Sequence, residues 1–360
     1  MKEMERGIRL VIVLSVTTLY SAVVLAQTPS QSTLHKQRAT HVQPLTGKEH
    51  TLKPEDATEA ILTAFDKYEV VGMGAAHGNK DLDDFILHLV RDPAFPSKVN
   101  DVVVECGNSL YQTILDRYIA GGEVPLSDVR QVWRNTTQPM CGVSGFYEVL
   151  FPLVRRINQR LPPQRRLRML AGDPPIDWSK VKDKSGVMLD RDATTASVME
   201  KEVLSKRHKA LMLFGEFHLF HSNSSAPIGL ESAVQRYERN YPDVTLVIGD
   251  LMVFTDSVSP ANEKWEVRMA SWPVPSLMQN IQGTWLADVD KTYFSKMVDA
   301  YLYLGPGDLM LVEPRPAEVF SNKDYMAELH RRAAIIGDEL LTDQTNPDKL
   351  SDQHFSPFLY

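Results

Sequence analysis

The chain contains only two cysteines, Cys106 and Cys141, among its 360 residues. Two thiols are too few for a disulfide-dense scaffold or for a zinc site built from cysteines. Two alternatives stay open. The pair could form one disulfide, which an oxidising compartment would permit, or Cys106 could be a buried free thiol at a predicted strand end.

An excess of positive charge is also missing. The formal net charge is -7, from 39 Lys and Arg against 46 Asp and Glu. Because the chain has no basic footprint, nucleic acid is not expected as a partner. Repeats, low-complexity tracts and coiled-coil heptads are absent as well, which argues against solenoid and fibrous classes. The hydrophobic content of 43% is that of an ordinary globular protein with a substantial core.

Long apolar runs are rare, and the clearest one lies at the N-terminus. Three basic residues precede an apolar run over residues 10–25, and Val24-Leu25-Ala26 offers the small residues that a signal peptidase reads. We therefore expect residues 1–26 to be a signal peptide, and the mature protein to be secreted or periplasmic without a stable membrane anchor. The alternative is an uncleaved anchor, although the run is short for a membrane span.

The rest of the chain predicts one folded domain. Residues 27–50 are polar and indicate a flexible linker, and residues 341–360 indicate a polar tail. Between them, residues 51–340 alternate β-branched runs with amphipathic helical patterns. This alternation predicts an α/β fold, with a mostly parallel sheet covered by helices on both faces. Residues 251–290, with three tryptophans and several prolines, predict a lid-like irregular insertion.

The individual elements follow from hydrophobic periodicity. Strands are predicted from Val70 onward and over residues 101–107, 167–171, 210–214, 244–248, 300–304 and 309–312. Helices are predicted over residues 54–67, 81–90, 145–159, 194–207, 229–240 and 323–336, and between Asn108 and Gly121. Residues 123–144 are expected to form a functional loop region.

Polar residues follow four of these strands directly. In a parallel sheet, the carboxyl ends of the strands meet at one edge, where ligands bind. The candidate catalytic residues are therefore the side chains at those ends: His77, Glu105, Asp173, Glu216 and His218. Two of the strand ends share the pattern Gly-x-x-His, at Gly74 to His77 and at Gly215 to His218.

These residue types permit two chemistries. Two imidazoles and a carboxylate, from His77, His218 and Glu105, could hold a divalent metal such as manganese, zinc or cobalt with positions open for water. Without a metal, the same groups could act as general bases that activate water. In that case Glu105 or Asp173 would orient an imidazole.

Several of the candidates also have structural explanations. Glu105 follows three valines, so we expect it to be buried and to need a partner, which could be only a structural arginine. Asp173 precedes two prolines and could cap a turn. His221 could join the site or be a solvent-exposed loop histidine. Arg134 could bind an anionic group or form a surface ion pair.

Together, the motifs resemble the superfamily that joins erythromycin esterases, ChaN-like haem-binding proteins and Tiki-type metalloproteases. The resemblance covers about residues 70–221. The matching features are a strand ending in Gly-x-x-His-Gly (Gly74 to Gly78), a strand ending in Glu105, the Gly172-Asp173-Pro174-Pro175 turn and the second Gly-x-x-His (Gly215 to His218).

The resemblance implies roles by position. His77, Glu105 and His218 match residues that esterase members use for water activation and that Tiki-like members use to bind a metal. ChaN-like members bind haem instead. One position departs from the pattern, because Ala75 stands where the first motif usually has glutamate. Either Glu216 supplies the missing carboxylate from the neighbouring strand, or hydrolytic activity is weakened.

The leading hypothesis is an exported hydrolase that acts on an ester or amide of a small molecule or peptide, with water as nucleophile. His77 and His218 would be bases or metal ligands, and Asp173 and Glu216 would be supporting carboxylates. The alternatives are a non-enzymatic haem or iron-binding protein, and an inactive module that binds a ligand or partner. The cofactor would be a divalent metal, haem or none, and the sequence predicts no oligomeric state.

Overall fold

The computed structural model describes residues 52–74, 77–221, 231–250, 269, 271–281, 297–306, 309, 311–314 and 316–337. The chain divides into the units Met1–Lys48 and Glu49–Tyr360, and all described residues belong to the second. The predicted signal peptide, the linker, the polar tail, Ala75 and most of the predicted lid lie outside these residues. Among the helices that are described, none has both the length and the apolar character needed to cross a membrane.

The fold is α/β, as the alternating pattern predicts, and its sheet has eight strands within the described residues. The strands are β1 (Glu55–Asp56), β2 (Val70–Gly74), β3 (Asp101–Asn108), β4 (Arg168–Asp173), β5 (Ala210–Phe214), β6 (Thr245–Asp250), β7 (Ser276–Gln279) and β8 (Ala300–Tyr303). Their spatial order is β1-β7-β8-β6-β2-β5-β3-β4. The pairs from β8 to β4 are parallel, whereas β7 runs antiparallel to β1 and β8.

Helices cover both faces of this sheet. They are α1 (Ala57–Ala64), α2 (Lys80–Arg91), α3 (Phe95–Lys98), α4 (Gln112–Ile119), α5 (Leu126–Arg134), α6 (Phe146–Asn158), α7 (Arg191–Val198), α8 (Ala233–Glu238), α9 (Ala317–Ser321) and α10 (Lys323–Ile336). Side chains alternate between the faces of a strand. Val102 and Val104 therefore pack into the core beneath α2, α5 and α6, while Val103 packs into the core beneath α7 and α8.

Two segments predicted as irregular contain regular structure. The predicted loop 123–144 includes α5 and a 3-10 helix over Pro139–Val143. The predicted lid includes β7, which pairs with the buried strand β8, and Trp272 packs edge-on against Tyr303 with ring centroids 5.7 Å apart. Both predictions gave too much weight to prolines and polar residues and too little to the apolar positions between them.

The predicted strand 309–312 is wrong as a strand. Of its described residues, only Val312 pairs, through an isolated bridge to Asn79. Leu309, Leu311 and Val312 are all exposed. A strand is stabilised by a face that packs on a core, and this segment lies at the surface beside the β2–α2 connection.

The predicted helix 194–207 starts earlier and changes character along its length. Asp190 caps it by accepting the backbone N–H of Ala193, so α7 begins at Arg191. The α-helix then gives way to a π-helix over Met199–Val203 and a 3-10 turn over Leu204–Lys206. The three additional residues at its start matter, because they include Arg191 and Asp192.

The open edge of the sheet at β4 is closed by two side-chain amides. Asn158 accepts the backbone N–H of Leu167 and donates to its carbonyl, both at 2.8 Å. Gln112 accepts the N–H of Ala171 at 2.8 Å and donates to the carbonyl of Met169 at 2.9 Å. Because these amides occupy backbone groups that another strand would use, they protect β4 from pairing with a second chain.

The two cysteines form a disulfide, with Cα atoms 5.5 Å apart. Cys106 lies in β3 directly after Glu105, and Cys141 lies in the 3-10 helix over Pro139–Val143. Of the two alternatives that the sequence left open, the structure therefore has the disulfide. It ties the segment after α5 to the strand that carries Glu105.

Candidate functional site

The site is centred on Glu105, which β3 holds in the interior at the carboxyl edge of the sheet. Its two oxygens face different histidines. His77 Nε2 lies 3.5 Å from Glu105 Oε2, and His218 Nε2 lies 3.7 Å from Oε1. The backbone N–H of Gly215 also donates to Oε2 at 2.6 Å. The structure thus brings together the three residues that the sequence predicted, from the ends of β2, β3 and β5.

Local sequence explains how His77 reaches this position. Gly78 follows it with φ of 85°, a left-handed conformation that glycine adopts without steric cost. Asn79 then caps α2, because its side chain accepts the backbone N–H of Leu82. The chain therefore turns sharply between β2 and α2, which leaves the His77 side chain partly exposed at the edge.

Arg191 is the partner that buried Glu105 requires. Its Nη2 donates to Glu105 Oε1 at 2.6 Å, and its Nε donates to Asp173 Oδ1 at 2.9 Å. Burial by itself would raise the pKa of Glu105, but Arg191, followed by His77 and His218, outweighs burial and holds this pKa well below its ordinary value. Glu105 is therefore a stable carboxylate at neutral pH.

Asp173 supports the site through Arg191 rather than by contacting either histidine closely. It accepts the backbone N–H of Thr137 at 2.5 Å and the Thr137 hydroxyl at 2.7 Å. Burial raises its pKa, and Arg191 and Thr137 only partly offset this effect. The residue that sequence analysis placed beside a catalytic imidazole thus anchors the arginine.

A second carboxylate, Asp192, orients His218. Its Oδ1 lies 2.8 Å from His218 Nδ1 and also accepts the backbone N–H of Ala233 at 2.9 Å. A carboxylate acceptor at Nδ1 keeps a proton there, which directs Nε2 toward Glu105 and Arg191. Burial lowers the pKa of His218, but Asp192 and Glu105 outweigh it, and the net pKa is raised.

Glu216 lies where two strand ends leave space for it. A Cβ atom on Gly74 would come within 2.5 Å of Glu216 Cγ, and one on Gly249 would come within 3.3 Å of Glu216 Oε1. The side chain therefore crosses from the end of β5 over the ends of β2 and β6. This position agrees with a carboxylate supplied to the first motif from the neighbouring strand, although Ala75 itself lies outside the described residues.

The geometry does not fit the predicted metal. Arg191 Nη1 lies 3.2 Å from His218 Nε2, and Nη2 donates to Glu105 Oε1. The guanidinium thus takes the lone pairs that a cation would need from these two residues. Within the part of the chain that the structure describes, no group of three or more His, Cys, Asp and Glu is arranged to hold a metal ion.

A small cavity of about 20 Å³ lies beside His77, between α2 and α6. Its polar lining includes Asp83, Tyr147 and Glu313. This volume is about that of one water molecule. The residues described around it therefore do not by themselves hold a haem, which needs an open pocket of hundreds of cubic ångströms, and the haem hypothesis stays a prediction.

Asp83 is unusual within this lining. Its Oδ2 is buried and has no hydrogen-bond partner among the residues that the structure describes. Burial, followed by the nearby Glu313 and Asp84, raises the pKa of Asp83 to about 9, against the lowering effect of Lys80. Asp83 therefore carries a proton at neutral pH, directly behind the strand end that presents His77.

A much larger cavity, of about 1030 Å³, lies away from these residues. It is lined in part by Tyr68, Leu246 and Val298, which lie near the amino ends of β2, β6 and β8. The candidate site residues that the strands contribute lie toward the carboxyl ends of β2, β3, β4 and β5, at the opposite edge. Cavity volume alone therefore does not identify the candidate site in this protein.

Two further candidates have structural roles. Arg134 forms an ion pair with Glu148 at 2.6 Å, and its guanidinium lies over the ring of Tyr325. His221 neither joins the site nor lies free in a loop. Its Nδ1 is 2.9 Å from Glu238 and its Nε2 is 2.8 Å from Asp299.

The pairing of His221 gives a prediction for stability. Burial would lower its pKa, but the hydrogen bonds with Asp299 and Glu238 raise this pKa to about 10. Because the folded pKa exceeds the unfolded value, the stabilisation is complete below about pH 6.5 and is lost as the pH rises through about 10. The difference in unfolding free energy between wild type and His221→Gln should therefore be largest near pH 6 and should shrink toward pH 10.

Urea denaturation from pH 6 to pH 10 measures this difference. His88→Gln is the matched control, because His88 is exposed on α2 and should change stability by less than about 0.5 kcal/mol throughout. A His221→Gln deficit that stays constant with pH would contradict the charged-histidine explanation.

Sequence analysis missed Arg191, Asp192, Thr137 and Asp83. For the first two a signal was present, since Asp190 is a good N-cap and a positive charge in the first turn of a helix opposes the helix dipole. Such an arginine is expected to have an acidic partner. Thr137 and Asp83 carry no local signal, because their roles depend on contacts with distant residues.

Comparison with known proteins supports the fold. No protein-family model matches the sequence, and a search of curated proteins finds no match. A solved structure from Bacillus cereus is similar, with a TM-score of 0.51 at 11% identity over 73% of this chain and 96% of that one.

Two other solved structures have lower TM-scores. A succinoglycan biosynthesis protein scores 0.41 at 10% identity, over 73% of this chain and 95% of its own. ChaN of Campylobacter jejuni, described with cofacial haem binding, scores 0.31 at 12% identity, over 53% of this chain and 85% of its own. We conclude from the first of the three structures that this chain shares the α/β fold of the Bacillus cereus protein.

Proposed function

We propose that the protein is a hydrolase in which His77 activates water against an ester or amide of a small molecule or peptide. One observation carries the proposal: partly exposed His77 lies 3.5 Å from the buried carboxylate of Glu105. A carboxylate behind an imidazole stabilises the imidazolium that forms when the histidine takes a proton. The proposal includes an exported mature chain that begins at Gln27.

The proposed reaction needs no cofactor, because hydrolysis by water transfers only protons and the acyl group. His77 takes a proton from water as the water oxygen bonds to the carbonyl carbon. The carbonyl electrons move to oxygen, where Arg191 supplies positive charge on the other side of Glu105. When the bond to the leaving alcohol or amine breaks, His77 returns its proton to that group. The products are a carboxylic acid and an alcohol or amine.

The remaining residues hold this arrangement in place. Asp173 and Thr137 fix Arg191, Asp192 fixes the His218 ring, and the Gly215 N–H holds Glu105. These hydrogen bonds orient the charged groups before substrate arrives, which is how enzymes lower the cost of charge that develops in a transition state.

The test is a panel of p-nitrophenyl esters and p-nitroanilides with the purified mature chain. His77→Ala should lower kcat/KM at least about a hundredfold, because a general base contributes roughly that much or more. The thermal midpoint should change little, and EDTA should leave the rate unchanged. His88→Ala is the matched control and should retain full activity. His77→Gln, which keeps more of the side-chain volume, serves if the alanine variant folds poorly.

Three outcomes would contradict the proposal. They are full activity in both His77 variants, complete loss of activity with EDTA, and no turnover of any substrate in the panel. The last result together with a Soret band on haem titration would favour the haem-binding alternative. The last result without haem binding would favour the inactive binding module.

A further inference from the structure

Six of the ten exposed large apolar side chains among the described residues belong to segments that adjoin residues of the site. We define the apolar rim as the members of this set that lie on three segments next to site residues: Met188, Leu189, Phe217, Leu309, Leu311 and Val312. Their exposed fractions run from 38% to 76%. Large apolar groups that a soluble protein leaves exposed together mark a binding surface more often than scattered ones do.

Each segment of the rim is tied to the site by the chain or by hydrogen bonds. Phe217 directly precedes His218, and its ring packs edge-on against Phe220 at 5.7 Å. Leu189 lies two positions before Arg191. The segments that carry Phe217 and Leu189 are therefore the same segments that carry His218 and Arg191.

The third segment lies beside His77. The carbonyl of Leu311 accepts the backbone N–H of Lys80, and the N–H of Glu313 donates to the carbonyl of Gly78, at 2.9 and 2.8 Å. The residues between these two bonds include Val312. These two hydrogen bonds hold the exposed residues Leu311 and Val312 next to the turn that carries His77.

We infer that the apolar rim binds the hydrocarbon chain of a monomeric ester, so that the substrate class is a medium- to long-chain acyl ester. This inference rests on the proposed function. The carbonyl carbon would lie at His77 and Glu105, and the acyl chain would extend over Phe217 or the Leu311–Val312 segment. A short polar ester would leave these side chains exposed to water.

The charge of the chain favours a single ester molecule over a membrane surface. Proteins that bind anionic bilayers combine apolar groups with clusters of lysine and arginine. The chain as a whole carries a formal charge of -7. A bilayer would therefore gain little from electrostatic attraction here.

The first experiment compares p-nitrophenyl acetate, butyrate and octanoate below their micellar concentrations. For wild type, kcat/KM should rise about two- to fourfold for each methylene that the rim covers. Phe217→Ser and Val312→Ser should flatten this dependence and leave the rate with acetate nearly unchanged. Leu126→Ser is the matched control, because Leu126 is also a large apolar residue, is 40% exposed, and starts α5, whose other end faces the site.

A second experiment separates this inference from the proposed hydrolysis. Decanoate, which is a product of such an ester, should bind wild type and His77→Ala alike in a calorimetric titration. Phe217→Ser should weaken that binding at least about fivefold. Binding of decanoate without turnover of any ester would support the role of the apolar rim and contradict the proposed hydrolysis.

Other results would overturn the inference. A rate with acetate that equals or exceeds the rate with octanoate would contradict it while leaving the proposed function in place. An equal loss of octanoate activity in Leu126→Ser would make the effect one of general stability. Cosedimentation with phosphatidylcholine vesicles that Phe217→Ser removes, with no binding of decanoate, would assign the rim to a bilayer.

Discussion

Replacing Arg191 with methionine is expected to lower the free energy of unfolding by about 3–5 kcal/mol at pH 7.5. The guanidinium bridges Glu105 and Asp173, whose side chains are almost completely buried. Without it, two carboxylates stay in the interior with no positive charge between them. Breaking a buried ion pair from one side costs far more than losing a surface pair, because the remaining charge cannot be hydrated.

The loss should depend on pH. In the wild type, burial raises the pKa of Glu105 but Arg191 more than offsets this effect, so the net pKa is lowered. A lowered folded pKa stabilises the protein above the unfolded pKa, and this contribution disappears as the pH falls through the folded value. In Arg191→Met, burial dominates and the sign reverses. The difference between the two proteins should therefore shrink as the pH falls from 7.5 toward 4.5.

Urea denaturation at pH 7.5 and at pH 5 tests both statements. Arg130→Met is the matched control, since Arg130 also binds a partly buried carboxylate, Glu148, but Arg134 would still pair with that carboxylate. Its loss should be about 1 kcal/mol or less. The double variant Arg191→Met/Glu105→Gln should be more stable than Arg191→Met alone at pH 7.5. A loss no larger than that of the control would refute the proposed network.

Replacing Asp83 with asparagine should have the opposite effect and stabilise the protein at neutral pH. The pKa of Asp83 is raised to about 9, mainly by burial and then by Glu313. Stability linked to this group is complete below an unfolded pKa near 4 and is lost as the pH rises through about 9. By pH 7 the loss is on the order of 4 kcal/mol. Asparagine has nearly the same shape and cannot ionise, so it escapes this loss.

The expected gain is about 2–4 kcal/mol at pH 7 and should be small at pH 4.5. Glu123→Gln provides the control, because Glu123 is exposed and is not among the groups that shift the pKa of Asp83. That variant should stay within about 0.5 kcal/mol of wild type. Thermal unfolding of the three proteins between pH 4.5 and pH 8 gives the comparison, and a gain that does not grow with pH would rule out a protonated Asp83.

A natural sequence that keeps such a costly carboxyl invites a functional explanation, since active sites often trade stability for chemistry. Asp83 lines the same small cavity as His77. Assays of Asp83→Asn on the ester panel would therefore show whether the gain in stability comes with a loss in rate.

The architecture could be predicted from the sequence, because hydrophobic periodicity depends only on residues that are close together in the chain. Val102-Val103-Val104 is buried on both faces as its composition predicts, and the final helix runs over Lys323–Ile336 as its pattern predicts. The rule that parallel strands end at one edge was enough to bring His77, Glu105 and His218 together. Their catalytic roles stay predictions until activity is measured.

The distant partners of the site residues could not be predicted, because no local sequence pattern specifies which residues will meet in the fold. Arg191 binds Glu105 across 86 positions of chain. The burial expected for Glu105 required a partner, but the sequence offered many arginines, and its periodicity placed the start of α7 three residues late. That displacement placed Arg191 and Asp192 in a predicted loop rather than in the first turn of a helix.

The sequence by itself determined the alternation of strands and helices, the faces that each strand buries and the edge at which the polar residues gather. Only the tertiary structure showed that Arg191 lies between Glu105 and His218, that Glu216 crosses over Gly74, and that burial raises the pKa of Asp83. The physical reason is that periodicity depends on neighbouring residues, whereas ion pairing and desolvation depend on which distant groups the fold brings within a few ångströms.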